Sequence, residues 1–415
     1  MLNRRLFLRG AAVLGCSAAA HPWLTTVTLA QGARRLGDHR LVVVILRGAM
    51  DGLDAVQPLA EPDFVRYRPN LARQGDALPL DNRFALHGKL GALMPLWQAG
   101  QLGFVHATST PYRNKRSHFD GQDILEAGTG LDVPVPEVRD GWLNRMLQAV
   151  PGLQAETAYA IGREALPLLA GAAPARSWTP EVRLQLSAQS RLLLESVYHD
   201  DPLFRDAAQE AMELAAALDL DRAAQQMSGA APGGMSAAPK PADKPAAAKR
   251  FADVDQLAGF AADRLQAEAR IAAFSLAGWD THRGQKGVLG GNLEKLARLV
   301  LQLQAGLGPV WGKTLVVAMT EFGRTVAENG TQGTDHGTGG AMLMAGGALR
   351  GGQIYGRWPG LSEADLYDRR DLMPTSDVRS WAAWAMRGMY GLDRAVLESA
   401  VFPGLDMGDD PRILL

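Results

Sequence analysis

The sequence predicts an α/β protein with a largely parallel central sheet flanked by helices, and three observations predict it. Short apolar runs alternate with stretches of helical periodicity, the pattern of strands buried on both faces. Four of these runs lead straight into polar clusters. Leu41–Leu46 runs into Arg47, Asp51 and Asp54, and Leu102–Ala107 into Arg116, Ser117, His118 and Asp120. Ile271–Ala277 runs into Trp279, Asp280, Thr281 and His282, and Thr314–Met319 into Thr320, Glu321 and Arg324. A fifth cluster, Thr334-Asp335-His336-Gly337, precedes the run Ala341–Ala345. Loops at the carboxyl ends of parallel strands share one sheet edge. Acids and imidazoles gathered there need a positive charge among them, so a metal site is the economical expectation.

Residues 1–30 read as an export signal. Arg4-Arg5 is followed by Leu6, Phe7 and Leu8, then a short Ala/Gly stretch (Gly10–Ala20), and Thr28-Leu29-Ala30 offers a cleavage site. The expectation is export of the folded chain by the twin-arginine machinery to the periplasm or beyond. Cys16, the only cysteine, falls inside this segment, so the mature chain has no thiol. Val13-Leu14-Gly15-Cys16 resembles a lipoprotein box behind a very short apolar stretch. Metal ligands are then His, Asp, Glu or hydroxyl groups, suited to one or two divalent ions such as Zn, Mn, Mg or Ca.

Residues 31–415 read as a single domain. With 415 residues, 47% of them hydrophobic and 21% charged, the chain has ample material for a core. Without the three arginines of residues 1–30, 40 basic residues face 44 acidic ones. No basic surplus points to nucleic acid, and no apolar run is long enough to span a bilayer.

Along the chain, the first strand falls at Leu41–Leu46, followed by a proline-rich loop region and a helix near Leu86–Gln98. Strand Leu102–Ala107, helices over Ser117–Ala127 and Gly141–Val150, and a short strand Tyr159–Ile161 come next. Thr179–Met227 is long and helical in pattern. Residues 228–249, rich in Ala, Pro and Gly with almost no large apolar side chain, read as a disordered loop. Helix Phe251–Arg270 feeds strand Ile271–Ala277, amphipathic helix Asn292–Leu307 feeds strand Thr314–Met319, and Asp377–Tyr390 is a final helix.

Each cluster has a functional and a structural reading. Asp51 is a cation ligand or a turn Asp-Gly. Ser117 is a nucleophile or, with Asp120 three residues on, a helix cap; Thr108, Ser109 and Thr110 are rival hydroxyls. Asp280 and His282 are ligands on one side of an extended segment or a hydrogen-bonded loop pair. Glu321 and Arg324 are a functional acid and arginine at the mouth of a strand, or a salt bridge capping the next helix. His336, among glycines, has little apolar packing and reads as a ligand. His87, His106 and His199 read as packed or surface residues.

The leader and the segments LRGAMDGLDAV, RSHFD, GWDTH, TEFGRT, GTDHGTG and GGQIYGRWPGL resemble the exported bacterial family called domain of unknown function 1501. That family is grouped with the alkaline phosphatase and sulfatase superfamily, so the resemblance implies that superfamily's two-metal site on a central sheet. It places the first-strand Asp on Asp51, the nucleophile near Ser117, and an Asp/His pair on Asp280 and His282. Its second Asp-His pair falls on Glu321 and Phe322, and its last His on His336. Phe322 stands where an imidazole is expected, and His118 or Asp335 are the compensating candidates. The formylglycine route of many sulfatases has no cysteine here; only Ser117 could supply it.

The leading expectation is a metal-dependent hydrolase of phosphate or sulfate esters. Asp51, Asp280, His282, Glu321 and His336 hold the metal, Ser117 attacks the anionic ester, and Arg116 and Arg324 stabilise its oxygens. The alternative is a non-catalytic, metal-stabilised binding protein of the cell envelope.

Overall fold

Six consecutive apolar residues, Leu41–Leu46, make up most of the first strand, β1 (Arg40–Arg47), and their alternating side chains enter two different cores. Leu41, Val43 and Ile45 pack with helices Trp142–Gln148 and Val378–Tyr390. Val42, Val44 and Leu46 pack with helices Ala252–Gln266 and Gln285–Leu307. Burying such a side chain contributes roughly 1.5–3 kcal/mol, so a strand apolar on both faces is stable only between helical layers. The computed structural model describes residues 36–72, 76–113, 115–130, 139–150, 152–180 and 250–415. The export signal at 1–30, most of the helical pattern at Thr179–Met227 and the loop at 228–249 lie outside the described residues. Those up to Trp178 and from Phe251 onward form one compact unit.

The remaining strands in chain order are β2 (Val56–Gln57), β3 (Leu78–Pro79), β4 (Ala85–Leu86), β5 (Leu102–Ser109), β6 (Ala158–Ile161) and β7 (Arg176–Trp178). β8 (Ile271–Ala277), β9 (Thr314–Met319), β10 (Gly340–Ala345), β11 (Ile354–Tyr355) and β12 (Ser376–Asp377) follow. The main sheet runs β11-β5-β10-β9-β1-β8-β6-β7, with β12 also paired to β5; β2, β4 and β3 make a small antiparallel sheet. The main sheet's pairs are parallel except where β10 lies between β5 and β9. β10 therefore enters the sheet at the edge where its neighbours leave it. This is why the His336 cluster, which precedes its strand, reaches the same edge as clusters that follow theirs.

The strand expectations match within one or two residues, and the helices expected near residues 118, 142, 252 and 378 form. Two elements differ. Leu86–Gln98 is not one helix: it divides into the end of β4, a 3-10 turn Gly88–Leu93 and a short helix Met94–Gln98. A Cβ at Gly88 would stand 2.5 Å from the Asp76 carbonyl oxygen, and Pro95 fits the start of a helix rather than its middle. The helix expected from Asn292 begins at Gln285, two turns earlier, where Gly287, Gly290 and Gly291 dilute the apolar pattern.

Buried His106 on β5 stacks on Phe84 and meets Trp358 edge to face. Its Nε2 donates to the Val56 carbonyl at 2.9 Å and its Nδ1 accepts from the Ala107 amide at 3.1 Å, which fixes the neutral tautomer. Burial pushes its pKa down to about 4 from an ordinary 6.5. Between those values the unfolded chain takes up the proton first, so the stabilisation present above pH 6.5 is lost as pH falls toward 4. The loss should be on the order of 3 kcal/mol. Urea unfolding of the wild type and His106→Gln across this range checks it: the wild type should show the steeper decline.

Candidate metal centre

The loops at the sheet edge come together because glycines let their backbones touch. Gly48, after β1, has φ +116°, and a Cβ there would lie 2.5 Å from the Asp280 amide nitrogen after β8. A Cβ on Gly323, after β9, would lie 1.8 Å from the Gly339 carbonyl oxygen before β10. Segment 323–325 pairs with 335–338 through Gly323 N–H to Thr338 O, Gly337 N–H to Gly323 O and Thr325 N–H to Asp335 O. Buried Arg324 completes the joint. It donates Nε–H to Ala49 O, Nη1–H to Thr334 O, and Nη2–H to Gly48 O, Trp279 O and Asp280 Oδ1, the last at 2.6 Å. One guanidinium thus binds carbonyls from three loops and orients the Asp280 carboxylate.

Around that carboxylate stand three imidazoles. Asp280 Oδ1 lies 3.1 Å from His282 Nε2, 3.3 Å from His336 Nε2 and 3.5 Å from His118 Nε2. Each ring is anchored through its other nitrogen. His118 Nδ1 faces Glu321 Oε1 at 2.8 Å, His282 Nδ1 faces Asp335 Oδ1 at 2.9 Å, and His336 Nδ1 faces the Arg116 carbonyl at 2.8 Å. A carbonyl or a carboxylate accepts, so each Nδ1 carries a proton and each Nε2 is left facing the centre, as a lone pair in the neutral ring or as a second donor toward Asp280 in the charged one. His118 Nε2 is buried without a hydrogen-bond partner, and the Nε2 atoms of His282 and His336 stand only 3.0 Å apart. Facing lone pairs repel unless a cation or a proton lies between them. Nitrogens around a four-coordinate zinc at about 2.0 Å are separated by roughly 3.3 Å, close to this spacing. His118, Asp280 and His336 each offer a ligand atom, all within 4.8 Å of one another. His282 flanks the trio beside Asp280 and His336.

The electrostatics match. Partial burial would raise the Asp280 carboxyl, but the hydrogen bond and charge of Arg324, with His282 and His118 nearby, outweigh it and hold it at about 2. Burial of Glu321 likewise works upward and is overcome by its hydrogen bond to His118, so it stays ionised below the usual carboxylate range. His118 is raised: burial lowers it, and the bond and charge of Glu321 more than reverse that. His336 is lowered, first by burial and then by the charges of His118 and Arg324.

The expected site is therefore redistributed. Asp280, His282 and His336 converge. Glu321 is next to them but engaged through His118, with Gly48 N–H and Thr320 Oγ1–H also bonded to its carboxylate. Asp51 is not in the cluster: it is buried in an ion pair with Arg68 at 2.8 Å and accepts from Gln285 Nε2 at 2.7 Å. Its burial away from the centre is satisfied by these donors without a metal. Arg324 is buried and directed at loop carbonyls and Asp280, so it does not present its guanidinium to an ester. Ser117 caps helix His118–Ala127, its Oγ accepting from the Asp120 amide at 3.4 Å, while Tyr112 Oη accepts from its own amide at 2.8 Å. Arg116, at φ +54°, supplies the carbonyl that anchors His336 and leaves its side chain partly exposed, 3.9 Å from Asp371.

Sequence reasoning gave His118 and Asp335 only compensating parts and missed Arg68, Gln285 and Asp371. His118 occupies the first position inside a capping box, where the Ser117–Asp120 spacing is the stronger local pattern. Arg68 ends a short helix in a stretch without periodic signal. Phe322, where an imidazole was expected, stacks on His118 with ring centroids 5.2 Å apart and on Tyr112 at 6.0 Å.

A family model described as "Protein of unknown function (DUF1501)" matches residues 108–398, a span that holds every residue of the His/Asp cluster and begins after Asp51. No curated protein matches the chain. Among solved structures it is similar to Ps i-CgsB in complex with k-i-k-neocarrahexaose, with 9% identity and a TM-score of 0.41 over 86% of this chain and 72% of that one. It is also similar to a mutant of TAB5 alkaline phosphatase with Mg bound in its M3 site, with 11% identity and a TM-score of 0.31 over 74% of this chain and 90% of that one. Among the described residues no helix is long and apolar enough to cross a membrane.

Arg324→Met should leave buried carbonyls and Asp280 without their donor, at a cost of about 3–5 kcal/mol in urea unfolding. Arg324→Lys should recover little of it, because an ammonium cannot reproduce the fork.

Proposed function

This chain belongs to the DUF1501 family, and we propose that it is a metal-dependent hydrolase of phosphate or sulfate esters working in the cell envelope. The observation that carries the reading is the convergence of three Nδ1-anchored imidazoles on Asp280. His118, Asp280 and His336 are the ligands, with His282 beside them as a further donor. Imidazole-rich donors suit zinc and similar transition ions better than magnesium or calcium. These residues would hold a divalent ion, which would supply Lewis acidity toward an ester oxygen and charge to offset the anion. Glu321 and Asp335 fix the ring orientations and strengthen the imidazoles as donors, the part such outer carboxylates play around metal-bound histidines. Arg324 holds Asp280 at a fixed angle. The partly exposed Arg116 side chain binds the oxygens of the anionic ester. Ser117 serves as nucleophile once its hydroxyl turns from the long contact with the Asp120 amide: its oxygen would bond to the phosphorus or sulfur as the ester oxygen leaves with the hydroxyl proton as an alcohol, and water would then release phosphate or sulfate and restore the serine. The twin-arginine stretch at residues 4–5 supports export of the folded protein to the periplasm or beyond, by the twin-arginine machinery.

A second reading, a non-catalytic metal-stabilised envelope binding protein, is favoured by the capped state of the Ser117 hydroxyl. Turnover separates the two. Purified without chelator, the wild type should carry one or two tightly bound divalent ions. His118→Ala and His336→Ala should lose metal at least tenfold, and Ser117→Ala should keep it. Release of p-nitrophenol from its phosphate or sulfate ester by the wild type, abolished in all three variants, would establish the hydrolase; metal without turnover would leave the binding protein. No metal after refilling with zinc, manganese or calcium would contradict both readings. Because His118 holds its proton more tightly than an ordinary imidazole and metal must displace it, affinity should rise with pH in a zinc titration.

A further inference from the structure

A cavity of about 580 Å³ opens among residues that the metal centre does not use, a size common for small-molecule sites. Three segments build it over His106 of β5. The first is the loop between β3 and β4, closed by Asp81, whose Oδ1 accepts from the amides of Arg83 and Phe84 at 2.8 and 2.7 Å. The second is Ala60-Glu61, tied to that loop by the Ala60 amide, which donates to the Arg83 carbonyl. The third belongs to the stretch GGQIYGRWPGL, which supplies nothing to the His/Asp cluster. Gly356 there has φ +91°, and a Cβ on it would stand 2.8 Å from the His106 carbonyl oxygen. Glycine thus lets the chain pass close over β5 and deliver Trp358 to the cavity.

The lining is chemically mixed. Half-buried Trp358 is held by three contacts. Its Nε1–H donates to Glu61 Oε1 at 2.7 Å, and its ring meets those of Phe84 and His106 nearly at right angles, at 5.1 and 4.9 Å. Glu61 and Asp81 each keep one carboxylate oxygen free of hydrogen bonds among the described residues. The exposed side chains of Asn82 and Arg83 have neither a hydrogen bond nor an ion pair there. An anion in this cavity would face two carboxylates, and a cation would face a guanidinium. A neutral ring bearing several hydroxyls suits the whole set, because each hydroxyl both donates and accepts. Its C–H groups then have an indole to cover them.

We infer that this cavity binds a neutral sugar ring, with Trp358 as the platform for its C–H face and Glu61, Asp81, Asn82 and Arg83 holding its hydroxyls. The site needs no metal and stands apart from the ester-hydrolase reading.

Saturation-transfer NMR on the full mature chain, with EDTA present, tests it against glucose, galactose, mannose, xylose and N-acetylglucosamine and their linear disaccharides. At least one of these sugars should receive saturation from the wild type. Titration calorimetry of the best binder should show Arg83→Ala and Asn82→Ala each weakening affinity at least about threefold, and Trp358→Ala about tenfold. His118→Ala should change nothing. The Asn82 and Arg83 variants should unfold in urea as the wild type does, so their loss of binding reports on the site and not on the fold. No saturation of any sugar, or binding that survives in both Arg83→Ala and Asn82→Ala, would overturn the inference. Binding seen only without EDTA, or lost in His118→Ala, would put the sugar at the metal centre and overturn it as well.

Discussion

The buried guanidinium of Arg324 is the constraint on which the edge of this sheet depends. A strand end fixes where a loop starts but not where its side chains point. Four loops here are irregular, glycine-rich and close-packed, so their carbonyls need donors that secondary structure does not supply. Arg324 provides several in one rigid plane and directs a remaining N–H at Asp280. A charged group at 1% exposure is tolerated only because its donors are matched by acceptors. The same bonds that solve a folding problem set the angle of a carboxylate.

From that carboxylate the site is built outward by pairing. Each imidazole touches the centre with Nε2 and the protein frame with Nδ1. Two of the frame contacts are ionised carboxylates and one is a carbonyl held out by an unusual backbone conformation at Arg116. A left-handed conformation at a non-glycine residue costs on the order of 1 kcal/mol, and its return is a fixed orientation for His336. Arg370 adds to this, donating to the His336 carbonyl at 3.0 Å and to Asp371 at 2.9 Å. Thr338 Oγ1–H then bonds the other oxygen of Asp371, which closes the loop on itself. Phe322 packs against the His118 and His336 rings from the dry side, with Tyr112 stacked behind it.

How much of this was legible follows from the range of each signal. Strands announced themselves by continuous apolar runs, because burial on both faces leaves no polar positions to confuse the pattern. The clusters at their ends placed Asp280, His282 and His336 together, since topology alone carries them to one edge. What failed was the division of labour among acids. Asp51 and Glu321 carry the same group and stand at equivalent strand ends. One is paired to Arg68, which ends a short helix in a stretch without periodic signal, and the other to His118, which comes from a distant part of the chain. Likewise Arg324 at a strand mouth looked like a substrate contact, because nothing in a sequence separates an arginine facing solvent from one facing carbonyls. The antiparallel turn of β10 was equally silent, although the His336 cluster preceding its strand is its visible trace.

In the proposed centre, Nε2 of His118 and Nε2 of His336 meet on one cation. X-ray absorption at the zinc edge, on the mature chain loaded with one equivalent of zinc, addresses it most directly. At least two imidazole nitrogens should appear at about 2.0–2.1 Å, together with an oxygen shell, and one imidazole should be lost in His118→Ala. A shell of oxygens alone, or zinc that washes off before measurement, would contradict it and leave the three rings as a hydrogen-bonded cluster around Asp280.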